Sequence, residues 1–117
     1  DIVGIPVPMD RAIDGTSILP VFDGHVLMRP TPLFWWYSLA IGEPKLAIRQ
    51  GPWKLLVSEN MEGIELYDLG HDMEETKNMA SSEPERVKTM LATLQHLSKE
   101  VEAEAPVWPK SQPAHNK

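Results

Sequence analysis

Few residues in this sequence have the type and spacing to do chemistry. His25, His71, His96 and His115 stand far apart, and none forms the close His-Glu-x-x-His pattern of a zinc helix. His96, between Gln95 and Leu97, reads as a surface position on a helix. There are no cysteines, so a thiol nucleophile, cysteine-ligated zinc and disulfides are excluded. Ser17 and Ser38 lack the glycine-flanked elbow of an activated nucleophile, and no glycine-rich phosphate loop is present. His71-Asp72 with Glu74 and Glu75 has the composition of a metal loop. Asp72 and Glu75 also have capping-box spacing, and the simpler expectation is that Asp72 starts a short helix. The expected catalytic set and the expected metal set are therefore both empty.

The aromatics are the other candidates. Trp35 and Trp36 are adjacent in Leu33-Phe34-Trp35-Trp36-Tyr37, a run of high β-propensity. Alternation along a strand sends them to opposite faces. One should pack under a helix while the other faces solvent, a ligand or another domain, since an exposed large aromatic marks an interface. Trp53 and Tyr67 also fall on strands, where core packing is the ordinary role.

The elements that must position these residues follow from breakers and periodicity. Pro6, Pro8, Gly15, Pro20, Gly24 and Pro30 leave room for little beyond one helical turn at Ser17 to Phe22, capped by Asp14 or Thr16. This connector carries Ile2, Val3, Ile5, Val7, Ile13, Ile18, Leu19, Val21 and Phe22, which call for a covering neighbour. Strands are expected at Leu33 to Tyr37, Lys45 to Arg49, Trp53 to Val57 and Ile64 to Leu69, with Gln50-Gly51-Pro52 as a hairpin turn. Loops this short favour an antiparallel meander, because parallel strands need crossovers of about a dozen residues or more. Ser82 and Glu85 have capping-box spacing around Pro84. Val87, Met90, Leu91, Leu94, Leu97 and Val101 then make one apolar helical stripe, which Pro106 ends. The expected fold is α+β: a four-stranded antiparallel sheet with one long C-terminal helix packed on it, preceded by an extended connector. The expected divisions are a connector over residues 1–31, a small subdomain over 32–106 and a tail over 107–117, loose or pinned by Trp108.

The chain has 117 residues and a net charge of -6. Residues 1–58 balance five acids with five bases, whereas residues 59–104 hold twelve acids against four bases. The excess reads as a solvated outer face. An acidic chain makes a broad nucleic-acid surface untenable, since that needs a basic face to displace counterions. A 42% hydrophobic content is enough for a core, and no apolar run approaches the ~18 residues of a membrane span. The chain starts without Met at Asp1 and reads as a piece of something longer.

The order of these signals resembles the C-terminal part of a type I, formylglycine-dependent sulfatase of the arylsulfatase family. The stretch Gly4-Ile5-Pro6-Val7-Pro8, then Ile13-Asp14-Gly15-Thr16-Ser17-Ile18-Leu19-Pro20, is similar to the family's exit from its large catalytic domain. Pro32-Leu33-Phe34-Trp35 resembles the first strand of the small sheet, and Arg49-Gln50-Gly51-Pro52-Trp53-Lys54-Leu55 the R-x-G-x-W-K-L hairpin. Glu65-Leu66-Tyr67-Asp68-Leu69, followed by Asp72, Glu75, Asn78 and Ala80, resembles the E-L-Y-D-L-x-x-D-P-x-E-x-x-N-L-A signature. Met73 stands in place of the signature's proline and Met79 in place of its leucine.

The resemblance implies an intact enzyme, of the alkaline-phosphatase superfamily, that hydrolyses sulfate esters with a formylglycine nucleophile and Ca²⁺. Both belong to a catalytic domain that no position here matches, so this fragment is expected to be inactive and to need no cofactor of its own. Its implied partners are the missing N-terminal catalytic domain and, in the intact enzyme, a sulfated small molecule or saccharide. Periplasmic, secreted or lysosomal location is implied for the parent. The position after the Phe-Trp pair lies near the leaving group in the family, so Trp36, Ser38 and Lys45 are the candidate substrate-binding residues. A related phosphonate monoester hydrolase fits the small-sheet motifs less well. The rival readings are a free-standing carbohydrate-binding module using Trp35, Trp36 and Trp53, and a purely structural domain. In isolation, the exposed apolar connector and sheet face predict self-association or low stability.

Overall fold

Gly51, at φ +59°, adopts the left-handed conformation that glycine takes without a Cβ penalty. It lets Gln50 and Trp53 close the central hairpin of the sheet. In the computed structural model, which describes residues 3–10, 13, 15–39 and 41–106, that hairpin joins β2 (Leu46–Gln50) to β3 (Trp53–Val57). β1 (Leu33–Trp36) flanks β2 and β4 (Glu65–Asp68) flanks β3. The four strands form one antiparallel sheet in the order β1-β2-β3-β4, the expected meander. A single turn, α1 (Leu19–Phe22), precedes the sheet, and the long helix α2 (Pro84–Glu104) follows it. None of the helices among the described residues is long and apolar enough to cross a membrane.

The register sorts side chains into two faces. One face aligns Phe34, Ile48, Leu55 and Leu66 across the strands, and beside them Trp36, Leu46 and Val57. α2 packs there through Met90 and Leu94, with Val87, Leu91 and Leu97 at the margins. Ile48, Leu55, Val57, Leu66 and Leu94 are completely buried, so the apolar stripe and the strand alternation meet in one core. The opposite face aligns Leu33, Arg49, Lys54 and Tyr67 in one row and Trp35, Ala47, Leu56 and Glu65 in the next.

Three local expectations change. The capping box at Ser82 and Glu85 does not form: Glu83 is the N-cap residue and no side chain caps α2. Ser82 N–H and Glu83 N–H both donate to Met79 C=O at 3.0 Å, and the Ser82 hydroxyl is drawn to that same carbonyl. Asp72 starts no helix. Its carboxylate instead gathers a loop, accepting Thr76 N–H at 3.1 Å, the Thr76 hydroxyl at 3.0 Å and Lys77 N–H at 2.9 Å. Glu75 sits in that loop at φ +54°, outside helical space. At α1, Ser17 Oγ rather than Thr16 accepts the Leu19 N–H, at 3.3 Å. Asp14 and the 107–117 tail with Trp108 lie outside the described residues.

Candidate functional site

The β1–β2 and β3–β4 loops meet at one end of the sheet. Tyr37 N–H donates to Lys45 C=O at 3.0 Å, and Lys45 N–H donates to Val57 C=O at 3.2 Å. The β3–β4 loop is tied by Ser58, whose hydroxyl donates to Glu62 C=O at 2.8 Å and accepts Glu62 N–H at 3.0 Å. Asn60 Nδ2 donates to Glu62 Oε2 at 2.8 Å. Trp36 links the loops, its indole N–H donating to Glu59 Oε1 at 3.1 Å.

Trp36, Ser38 and Lys45 are therefore brought to one end of one hairpin, but their side chains do not share an environment. Trp36 is half-buried and packs against the core cluster. Its neighbour Trp35 takes the outer face and stays 47% exposed. Ser38 is exposed and Lys45 half-buried. Beside them opens a groove of about 560 Å³ lined by Glu43, Ser58, Glu59, Asn60, Glu62 and Glu65, among others. Carboxylates and amides accept hydrogen bonds from hydroxyl or ammonium groups, and four glutamates repel an anionic group such as sulfate, so this end suits the neutral, hydroxyl-bearing part of a ligand. The groove was not singled out from the sequence, where Glu59, Glu62 and Glu65 read as a solvated face. Their spacing of three residues across a polar turn was the available signal.

The other end of the sheet is built for holding shape. Arg49 Nε donates to Gly51 C=O at 3.2 Å, bracing the hairpin turn. The Arg86 guanidinium of α2 lies 4.1 Å from the Trp53 ring centroid, a cation–π contact that clasps helix to sheet. Lys54 Nζ pairs with Glu75 Oε1 at 2.5 Å. The Asp68 carboxylate lies 2.8 Å from His71 Nδ1 and accepts Gly70 N–H at 3.0 Å; the His71 hydrogen bond is the main reason its pKa falls below the ordinary value. Asp72 is lowered too, by the backbone N–H groups of Lys77 and Thr76 first. The Tyr67 hydroxyl donates to Glu65 Oε2 at 2.8 Å. That bond to a carboxylate, followed by burial, raises its pKa.

Along the connector, Val3, Ile5, Val7, Ile13, Ile18 and Leu19 are among the residues lining an open apolar hollow of about 840 Å³. Among the described residues no group of three or more His, Asp or Glu side chains is placed to hold a metal ion. Compared with known proteins, the sequence matches no family model and no curated protein.

Proposed function

We propose that the chain is the C-terminal subdomain of a formylglycine-dependent sulfatase, catalytically silent by itself, that docks on a catalytic domain and lends residues to the rim of its substrate pocket. The observation that carries this reading is what the resembling residues do. Arg49, Lys54, Glu65, Tyr67, Asp68, Asp72, Glu75 and Asn78 each have an intramolecular partner inside the sheet, its turns or the loop after β4. Motifs spent on shape belong to a supporting subdomain rather than to a reaction centre. The exposed Trp35 of the outer sheet face and the exposed apolar side chains of the connector, Val3, Ile5, Val7 and Phe22 among them, support a docking role, because exposed apolar surface of that kind marks an interface. Ca²⁺ and formylglycine would come with the catalytic domain, and no residue here is assigned to either.

The native reading frame upstream of Asp1 tests the proposal. A C/S-x-P-x-R motif with acidic metal ligands is the expected content, and a start codon close to Asp1 would sink it. The rim role is tested separately in the intact enzyme. Trp36→Ala should raise KM for a bulky sulfate ester more than for a small aryl sulfate, and equal changes would reduce Trp36 to packing. The carbohydrate-module reading draws less support. Of its three indoles, Trp36 has its N–H engaged by Glu59 and Trp53 lies under Arg86, which leaves Trp35 as the open platform.

A further inference from the structure

The two outer edges of the sheet are finished differently. On β4 the outward backbone groups of Leu66 are both taken: its N–H donates to Asn78 Oδ1 at 3.1 Å, and its C=O accepts Met79 N–H at 2.7 Å. The next outward carbonyl, that of Asp68, accepts from His71 and Asp72 N–H. No strand can be added there. On β1 the bond from Tyr37 N–H to Lys45 C=O sets the parity. Residues 33, 35 and 37 turn their N–H and C=O toward β2, opposite Arg49, Ala47 and Lys45, as alternate pairs do in an antiparallel ladder. Phe34 and Trp36 turn theirs outward, and these four groups have no partner among the described residues.

We propose that β1 pairs antiparallel with β1 of a second copy of this chain, about a two-fold axis at Trp35. Phe34 of each copy then lies opposite Trp36 of the other. Each of those two pairs exchanges two hydrogen bonds, so every outward group of both edges is used. Sliding by two residues in one direction calls on Pro32, which has no N–H to give. Sliding the other way calls on Ser38, beyond the end of β1. Odd slips bring inward groups to the interface. The register that stays inside β1 is thus the one that puts Trp35 against its own copy.

Side chains fit the same axis. Trp35 is 47% exposed and lies on the face that α2 leaves bare, so the two indoles can meet without displacing the helix. Facing pairs that do not exchange hydrogen bonds are the closest in a ladder, about 4.5 Å between Cα atoms, and cross-strand aromatic pairs are favourable. On the helix side, Phe34, Leu97 and Val101 are among the residues lining a groove of about 380 Å³ beside the edge. The window is short because Pro32 blunts the edge, as prolines on edge strands do. β1 offers only four residues against the roughly 20–30 residues a side of a stable interface, which makes the pairing a weak, concentration-dependent equilibrium. It stands independently of the proposed function.

The test uses the whole 117-residue chain. Sedimentation equilibrium from about 10 µM to about 1 mM, where weak interfaces populate, should show a monomer passing to a dimer. Amide exchange should slow at Phe34 and Trp36 over the same range. The sequence contains no cysteine, so Trp35→Cys introduces a single thiol at the axis, within the ~4.4–6.8 Å Cα separation that a disulfide spans. Mild oxidation should yield a covalent dimer of Trp35→Cys and leave Gln95→Cys, on the exposed side of α2, monomeric. Trp35→Lys, with an unchanged circular dichroism spectrum, should stay monomeric. A wild-type monomer at every concentration, or no change in exchange at Phe34 and Trp36, overturns the proposal. So does equal cross-linking at residue 95, or association that Trp35→Lys leaves intact, which would place self-association on the connector instead.

Discussion

The two faces of the sheet are made by the same four strands and finished in opposite ways. Toward α2, Ile48, Leu55, Val57 and Leu66 are sealed from solvent by Met90 and Leu94, and nothing outside the chain is needed. On the other face coverage is uneven: Ala47 is buried, and Leu33, Lys54, Leu56 and Glu65 are half-buried. Tyr67 is buried, and the loop after β4 reaches this side through Glu75, which pairs with Lys54. Toward β1, Arg49 and Trp35 lie open. A self-contained hydrophobic layer is thus backed by a surface finished only in part.

Paired substitutions on adjacent residues break that comparison most sharply. Leu55→Ala empties a fully buried site and should cost about 2–5 kcal/mol in denaturant unfolding. Leu56→Ala, one residue along on the half-covered face, should cost about 1 kcal/mol. Equal losses would mean that the outer face is sealed as tightly as the inner one. Asn78→Ala comes next. It removes the acceptor for Leu66 N–H and Ala80 N–H and should cost about 1–2 kcal/mol, with faster exchange at Leu66 as the local readout.

Acid separates the loop from the core. Asp72 is held below its ordinary 3.8 in the folded chain. Its contribution is therefore complete above that value and is lost as pH falls through the lower, folded one. Amide exchange at Thr76 and Lys77 should accelerate there, once corrected for intrinsic rates, before Leu55 and Leu66 respond. In Asp72→Asn that acid step should disappear. The smallest effect belongs to the outer-face ion pair: Lys54→Met should change stability by no more than about 1 kcal/mol, and still less at high salt.

The meander was legible because its signals are local. Gln50-Gly51-Pro52 sits between two apolar runs, and the stripe from Val87 to Val101 follows helical spacing, so neither needs knowledge of the rest of the chain. Alternation also gave the opposite faces of Trp35 and Trp36. It could not say which indole goes under the helix, because that depends on whether Trp36 or Trp35 shares a face with Leu46 and Ile48, a matter of pairing register. Spacing misled at two places. Ser82 and Glu85 match a capping box, yet the turn at Met79 takes the Ser82 hydroxyl first. Asp72 and Glu75 match one as well, yet Glu75 leaves helical space to reach Lys54. The glutamate groove at the loop end was only partly legible: Glu59, Glu62 and Glu65 are regularly spaced, but Glu43 joins them only once the two loops are folded together.

Every strand in this sheet pairs with its neighbour in sequence, and that ordering has a kinetic meaning. The loops to be closed are short, so little chain entropy is lost before the first pairings are made. Topologies dominated by such near-neighbour pairings fold faster than those that wait for distant segments. The central hairpin at Gly51 can form first, the outer strands can add one at a time, and α2 can then dock on a sheet already in place. A sheet with that order of assembly reaches its shape from contacts between neighbours in sequence, without waiting for any distant segment.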